Sequence, residues 1–436
     1  MTRRRWSVLA LGAVLPLGSV AAGSYRAAEK PVPLYADGIA VSGDGSRHLV
    51  PVRSAVQYLP GTRVLDLERS SPHARRSALR LARAQRSWLA AGRVPGQYGR
   101  WGDLVTASLL DIHALTLPNG ASVAGWSARW RYVWPRDASF VAVALAATGH
   151  HADAVRVLTF LQSVQGADGT FHARYLPDGS GPPDGRGVQA DGPGWALWAV
   201  AELVERAPDD RWVYAALQRL RPMIDRSTER LLADARTPTG LPSASSDYWE
   251  VDETVLTLGI AASALAGLSS AASLYARAGV RDKSAAARLA ADQLAAGIQR
   301  HFGPDGYPRH LRGVERDAAI TFLLPPFVDR RLAGVDETRD MARTELRRPA
   351  GGLAPGAGWK DDGISWTPET ALFALTAATT GRQAEAEHWL DWLDSHRTRL
   401  GALPEKVLAD GSPAGVAPLA WTSALVVLTV AALDVP

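Results

Sequence analysis

The chain has 436 residues, of which 47% are hydrophobic and 21% charged, and its formal net charge is +4. This composition is typical of a globular protein and excludes a disordered, fibrous or multispanning chain. The absence of cysteine excludes disulfides, thiolate metal sites and cysteine nucleophiles. Chemistry in this protein must therefore use carboxylates, histidines, hydroxyls or backbone groups.

The first thirty residues predict a targeting segment. Arg3, Arg4 and Arg5 precede an apolar, small-residue run over residues 6–22, which is the pattern of a Sec or twin-arginine export signal. An uncleaved N-terminal anchor is the alternative, because the run is near the lower length limit for a membrane-spanning helix. We therefore assign residues 1–30 to an export signal or anchor and expect a secreted or extracytoplasmic protein.

The distribution of charge and motifs argues against several partners. Most basic residues are arginines spread among acidic residues, without a basic stripe, so we expect no nucleic acid partner. No glycine-rich phosphate loop follows a predicted strand and no HExxH motif occurs. We therefore expect no metal, no cofactor, no membrane contact beyond the N-terminal anchor, and a monomer.

After the targeting segment, residues 31–70 are turn-rich with β-branched fragments, which predicts a short lead segment with a few strands. Helical patterns of two kinds dominate residues 71–436. One kind is amphipathic, with one face for solvent. The other kind is apolar or small all round and must be buried on every side. The all-round apolar segments are residues 138–147, 193–204, 255–265, 366–378 and 419–433.

An inner ring of buried helices inside an outer ring of amphipathic helices explains this alternation. The predicted fold is all-α, an (α/α)6 toroid that forms a single catalytic domain over residues 71–436. Residues 104–115 and 320–324 also fit the inner pattern, which makes seven inner candidates where a ring of six pairs needs six. We expect one of these two segments to be a loop helix.

Three segments at the starts of inner helices combine a carboxylate with aromatic side chains. They are residues 131–137, residues 247–253, and residues 403–407 followed by 418–421. Aromatic faces stack on sugar rings, while carboxylates and arginines bind sugar hydroxyls, and cleavage of a glycosidic bond needs two carboxyl groups. A structural interpretation competes, because first-turn carboxylates interact favourably with the helix dipole and tryptophans fill cores. Three such segments together favour a sugar site.

Four motifs in a fixed order extend this pattern. They are Trp134-Pro135-Arg136-Asp137, Asp191-Gly192-Pro193-Gly194-Trp195, the Asp-x-Trp-Glu sequence at 247–250, and Leu403-Pro404-Glu405 followed by Pro418-Leu419-Ala420-Trp421. Their order and spacing resemble glycoside hydrolase family 15, which includes glucoamylases, glucodextranases and bacterial trehalases. The resemblance covers roughly residues 70–436.

The resemblance implies an (α/α)6 catalytic domain and an inverting, exo-acting α-glucoside hydrolase. Such an enzyme releases glucose from the non-reducing ends of α-glucans or small α-glucosides, so the implied partner is an oligo- or polysaccharide. It implies Glu250 as the general acid and Glu405 as the general base. The implied substrate-binding residues are Trp134, Arg136, Asp137, Trp249 and Trp421.

The chain departs from the family pattern at two places. Val251 stands where many relatives have a second carboxylate, and residues 358–362 replace an Arg-Tyr-rich segment. These departures leave the substrate open. They also support an alternative function, a catalytically impaired carbohydrate-binding or sensing protein on the same scaffold. Lys406 has two interpretations of equal weight, because it could tune the proposed base or face solvent.

Overall fold

The computed structural model describes residues 32–66 and 71–434. The segment predicted as an export signal, residues 1–30, lies outside these ranges. The part of the chain from residue 32 onward forms one compact unit.

The described residues form a mainly helical protein, with twelve α-helices and a few short strands. The helices are α1 (Pro72–Ala91), α2 (Gly102–Leu115), α3 (Pro135–Ala147), α4 (His151–Val164), α5 (Gly192–Glu205), α6 (Asp210–Asp234), α7 (Leu258–Arg277), α8 (Arg281–His301), α9 (Val335–Glu345), α10 (Thr367–Thr379), α11 (Gln383–Ser395) and α12 (Ala420–Leu433). Two 3₁₀ helices, Gly303–Asp305 and Ala318–Leu323, lie between α8 and α9.

Six buried elements close into an inner ring. In order around the ring they are α3, α5, α7, the 3₁₀ helix Ala318–Leu323, α10 and α12, and α12 packs back against α3. Outer helices cover them, with α4 on α3, α6 on α5, α8 on α7, α9 on the 3₁₀ helix and α11 on α10. The all-α toroid predicted from the two kinds of helix is therefore confirmed.

One of the seven segments predicted as inner helices, α2, is buried because other parts of the chain cover its outer face. Helix α2 packs on α12 from outside the ring and is itself covered by α1 and the lead segment, so it is buried without belonging to the ring. The segment at 320–324 completes the ring, but as a 3₁₀ helix rather than an α-helix. The expectation that one of these two segments is a loop helix was wrong, because burial on all sides does not distinguish the inner ring from a covered outer helix.

Small residues let the inner helices approach closely. A Cβ built on Gly194 of α5 would lie 2.2 Å from the Ser263 carbonyl oxygen of α7, and one on Gly267 would lie 2.6 Å from the Gly194 Cα. Helix α7 is long and apolar enough to cross a membrane by length and composition, yet 83% of its most apolar window is buried in the protein. Its composition is therefore that of a core helix.

Aromatic side chains fill the interior of the ring. Phe140, Trp195, Trp198, Phe322 and Phe327 pack with ring centroids 4.7 to 5.9 Å apart. These contacts join α5 to the 3₁₀ helix across the ring, past their common neighbour α7. The ring is thus a packed core, and an opening at one end of it cannot continue through to the other.

The lead segment and the interhelical loops supply the short strands. Strands β1 (Gly38–Val41) and β2 (Arg47–Val50) form an antiparallel hairpin. Strands β3 (Ser365–Trp366), β4 (Lys406–Val407) and β5 (Pro413–Ala414) form a second small antiparallel sheet. Because Trp366 pairs with Lys406 in this sheet, the start of α10 lies beside the segment that carries Glu405.

Candidate active site

The inner helices α3, α10 and α12 begin at the same end of the ring, and a pocket of about 580 Å³ opens there. This volume lies within the range of small-molecule sites in proteins. All seven residues that the resemblance implicates line the pocket, namely Trp134, Arg136, Asp137, Trp249, Glu250, Glu405 and Trp421. The structure thus brings together side chains from segments far apart in sequence.

Glu250 is held in an unusual conformation. Its φ angle is +55°, in the left-handed region that non-glycine residues rarely adopt, and its backbone N–H donates to the Asp247 carbonyl oxygen at 2.8 Å. The side chain accepts hydrogen bonds from Trp134 Nε1 on Oε1 and from Arg186 Nη1 on Oε2. A strained backbone that aims a carboxylate into a pocket is common at functional sites.

Glu405 is nearly buried, at 9% exposure, on the segment that enters β4. Its Oε1 accepts a hydrogen bond from Trp130 Nε1 at 3.1 Å, and Lys406 Nζ lies 3.1 Å from its Oε2. Lys406 also lies over the Trp366 ring, 4.3 Å from its centroid. Of the two interpretations of Lys406, the structure therefore supports the one in which its charge acts on the proposed base.

Arg136 and Asp137 form a buried charged pair in the pocket lining. Arg136 Nη2 donates to Asp137 Oδ2 at 3.0 Å, and Asp191 at the start of α5 lies 3.7 Å behind the guanidinium. The Trp421 ring stacks on the same guanidinium at 4.6 Å. Burial raises the pKa of Asp137 to about 6, so the carboxyl is ionised at neutral pH and can accept hydrogen bonds from a ligand.

A buried network supports Trp249 from behind. The Arg309 guanidinium stacks on the indole at 3.6 Å and forms ion pairs of 2.8 Å with Asp247, Glu253 and Asp317. This network fixes both ends of the loop that carries Trp249 and Glu250.

Glu369 is a pocket residue that the sequence analysis missed. It is 3% exposed, lines the pocket, and its Oε2 has no hydrogen-bond partner among the described residues. Burial raises its pKa to about 8, so it holds a proton at neutral pH. The signal was present in the sequence, because Trp366-Thr367-Pro368-Glu369 repeats the spacing of Trp134-Pro135-Arg136-Asp137. In both helices the tryptophan is the N-cap and the acid is the third helical residue.

The departures from the family pattern also lie near the pocket. Trp359, within the 358–362 segment, lines it and packs edge-on against Trp249 with ring centroids 4.7 Å apart. Val251 is 42% exposed and is not among the lining residues. The replaced segment therefore contributes an aromatic wall to the pocket.

Several side chains that line the pocket carry buried hydrogen-bond donors without an acceptor among the described residues. Within the described residues, four lining indoles have buried Nε1–H groups without an acceptor, as do Nε and Nη1 of Arg136. The indoles are those of Trp249, Trp359, Trp366 and Trp421. Buried donors without partners cost free energy. Their concentration in the lining of one pocket favours a binding site for a ligand rich in hydroxyl oxygens.

Comparison of sequences matches only a small part of the chain to a known protein. No family model matches the chain. An uncharacterised glycosyl hydrolase of Methanocaldococcus jannaschii is 35% identical over 71 residues, which is 16% of this chain and 11% of that protein. The match therefore spans only a small part of the length of this curated relative.

Solved structures cover much more of the chain. A glycosidase matches with a TM-score of 0.63 and 23% identity over 77% of this chain and 97% of its own. A bacterial glucoamylase complexed with acarbose matches with a TM-score of 0.64 and 17% identity, over 84% of this chain and 62% of its own. The glucoamylase from Saccharomycopsis fibuligera matches with a TM-score of 0.55 and 12% identity, over 82% of this chain and 95% of its own. The chain thus has the helical-toroid fold of these glycosidases.

Proposed function

We propose that the protein is an inverting, exo-acting α-glucoside hydrolase that releases glucose from the non-reducing ends of α-glucans or small α-glucosides. The observation that carries the proposal is the presence of Glu250 and Glu405 in one pocket with Asp137, Arg136 and a set of unpartnered indole donors. The glycosidase fold of the neighbours supports it. We further propose that the protein is exported, through residues 1–30, and acts as a monomer.

In the proposed reaction, water attacks the anomeric carbon while the glycosidic C–O bond breaks. Glu250 gives a proton to the departing oxygen, and Glu405 takes a proton from the attacking water. Trp134 orients Glu250, and Trp130 orients Glu405. Lys406 places a positive charge 3.1 Å from Glu405, which suits a carboxylate that acts as a base.

Arg136 and Asp137 would bind the hydroxyls of the terminal sugar at the base of the pocket, and Trp249 and Trp421 would provide its aromatic walls. Binding to fixed, desolvated groups places the anomeric carbon between the two glutamates and excludes bulk water. No metal or cofactor is required for this mechanism.

One observation favours the alternative, a catalytically impaired carbohydrate-binding or sensing protein. Trp134 occupies Oε1 of Glu250 and Arg186 occupies Oε2. A general acid must carry a proton. While Glu250 stays an ionised partner of Arg186, the pocket can bind a saccharide but has no proton at Glu250 to give to a leaving group.

Glucose release from maltose, isomaltose, trehalose, starch and dextran separates the two functions. We expect turnover of at least one substrate, and proton NMR of its early hydrolysis should show β-glucose first, because inversion of an α-linkage gives the β-anomer. Initial α-glucose would contradict inversion. A saccharide that raises the melting temperature without being cleaved would favour the binding protein.

Variants of the two glutamates test the assignment. Glu250→Gln and Glu405→Gln should each lower kcat by about 100- to 10,000-fold, because each removes one proton-transfer group. Glu229, a 70% exposed glutamate on α6, provides the matched control, and Glu229→Gln should keep full activity. Full activity of both pocket variants would remove the proposed site.

A further inference from the structure

Three arginines line the pocket close to Glu250: Arg129, Arg174 and Arg186, here called the mouth arginines. Arg174 Nη1 donates to the Arg129 carbonyl oxygen at 3.2 Å. The Arg174 guanidinium also stacks on the Trp134 ring, 5.2 Å from its centroid, and Trp134 in turn donates to Glu250. Arg174 and Arg186 therefore belong to one contiguous group with the proposed acid, and Arg129 joins it through its backbone carbonyl oxygen.

Two carboxylates contact this group. Asp184 forms an ion pair with Arg174 and lies 3.7 Å from Arg186 Nε. Glu250 is the second, bonded to Arg186 Nη1. The positive charges of Arg174 and Arg186 thus face two negative charges while Glu250 is ionised.

The proposed reaction changes this balance. Glu250 must carry a proton before it can protonate the leaving oxygen. When it does, Arg186 loses the charge of its partner, and Asp184 is the one charged carboxylate among the described residues that still pairs with Arg174 and Arg186. A guanidinium that has lost its carboxylate, at the edge of a desolvated pocket, favours the binding of another.

Arg186 is placed to exchange one carboxylate for another. Its side chain is 41% exposed, and glycines flank it on both sides. A Cβ built on Gly185 or Gly187 would meet no heavy atom within 4 Å, so the side-chain face of this segment is open, while its backbone is held by the hydrogen bond from Ala173 N to the Gly187 carbonyl oxygen. The side chain can leave Glu250 without disturbing the packed core.

We infer that the natural substrate is an α-glucoside whose leaving group carries a carboxylate, which Arg186 binds in place of Glu250. The inference rests on the proposed function and names the substrate class for the same site. A carboxylate is favoured over other anions because Arg186 already holds one in this position. Substrate binding thereby frees Glu250 Oε2 for its proton, and hydrolysis proceeds as described above.

Maltobionate and maltitol form a matched pair of probes. Both carry an α-1,4-linked glucose on an open six-carbon chain, and they differ by a carboxylate in place of a terminal hydroxymethyl group. We expect kcat/KM for maltobionate to exceed that for maltitol by about tenfold or more, as a charge-assisted hydrogen bond would give. Arg186→Gln should bring the ratio close to one, and Arg186→Lys should retain part of the preference.

Arg330→Gln is the control, because Arg330 is a similarly exposed arginine in an ion pair with Asp292 and does not line the pocket. It should leave the ratio unchanged. A ratio near one in the unaltered protein overturns the inference, and so does a preference that survives in Arg186→Gln.

Calorimetric binding of the two probes keeps the inference separate from the proposed function. Tighter binding of maltobionate that depends on Arg186 supports the inference even without turnover. Equal binding of the two probes overturns it even when both are hydrolysed. Failure of the proposed function has a different signature, which is the absence of glucose release from every saccharide tested.

Discussion

At the residue scale, two buried first-turn acids in the same pocket hold different charges. Asp137 lies 3.0 Å from Arg136 Nη2 and has a pKa of about 6, whereas the pKa of Glu369 is about 8. Burial is the main cause of both shifts. At neutral pH these two acids therefore offer one carboxylate and one protonated carboxyl group, which can accept and donate hydrogen bonds to different hydroxyls of a sugar.

Asp137→Asn tests the binding role of the ionised acid. The variant should fold normally and lose about 2 to 4 kcal/mol of transition-state binding, a fall of about 30- to 1000-fold in kcat/KM on the best substrate. Steady-state kinetics and a thermal melt together give the answer. Near-normal kinetics would contradict the binding role. Lost stability instead of lost turnover would indicate that Asp137 serves only the helix dipole.

Glu369 makes stability depend on pH. Its folded-state pKa of about 8 exceeds its ordinary value of 4.5, so the folded state keeps a proton that the unfolded state loses. The contribution is fully present below about pH 4.5 and is lost as pH rises through 8. Its size is on the order of 4 kcal/mol. The charged groups that act on Glu369 are Arg136, Glu405 and Asp317.

Urea unfolding at pH 5 and pH 8.5 measures this effect. The unaltered protein should lose stability between the two values, and Glu369→Gln, which stays neutral, should lose much less. Asp137 and Asp191 also have raised pKa values, of about 6, so part of the decline below pH 6 should remain in the variant. Equal declines in the two proteins would contradict the assignment.

At the element scale, the loop 247–253 depends on one cation. Arg309 pairs with Asp247, Glu253 and Asp317, and all four side chains are nearly buried. Removing the cation takes away the guanidinium that the three carboxylates share and leaves His310, 2.8 Å from Glu253, beside one of them. The same cation supports the Trp249 ring, so the loop that aims Glu250 should lose its position as well.

Arg309→Met should therefore lower the free energy of unfolding by about 3 to 5 kcal/mol, measured by chemical denaturation at pH 7. The exposed Arg330→Gln should change it by less than about 0.5 kcal/mol. The difference between the two variants should narrow at acid pH, where protonation neutralises the carboxylates. A loss below about 1 kcal/mol for Arg309→Met would mean that the three acids are stable without their cation.

At the scale of the whole molecule, the aromatic filling of the ring closes the pocket from below. Phe140 joins this filling to the pocket wall, since its ring lies 5.7 Å from that of Trp421. Under the proposed function, a polysaccharide would insert its end but would not pass through. We expect glucose to be the only early product from the best α-glucan, as chromatography of the first few per cent of hydrolysis would show. Maltose or maltotriose among the first products would contradict exo action.

The helical ring could be predicted from the chain because its physical cause is local. A helix that is apolar on every side must be buried, and an amphipathic helix has one wet face, so the alternation of the two indicates two concentric layers. The position of α2 could not be predicted, because a helix covered by α1 and the lead segment has the same composition as an inner one. The sequence also contains no pattern that predicts a 3₁₀ helix rather than an α-helix at Ala318–Leu323.

The candidate site likewise contains some residues that could be predicted from the sequence and others that could not. The family resemblance, which rests on motif order, implied seven site residues, and all of them line one pocket: Trp134, Arg136, Asp137, Trp249, Glu250, Glu405 and Trp421. Arg186 emerged only from the folded chain, and Glu369 was missed although its Trp-x-x-acid spacing was present in the sequence. An arginine in a glycine-rich loop looks like any solvated arginine until the loop is placed beside Glu250. A glutamate near a helix start looks like a dipole partner until burial raises its pKa, and burial depends on contacts that come from the whole ring.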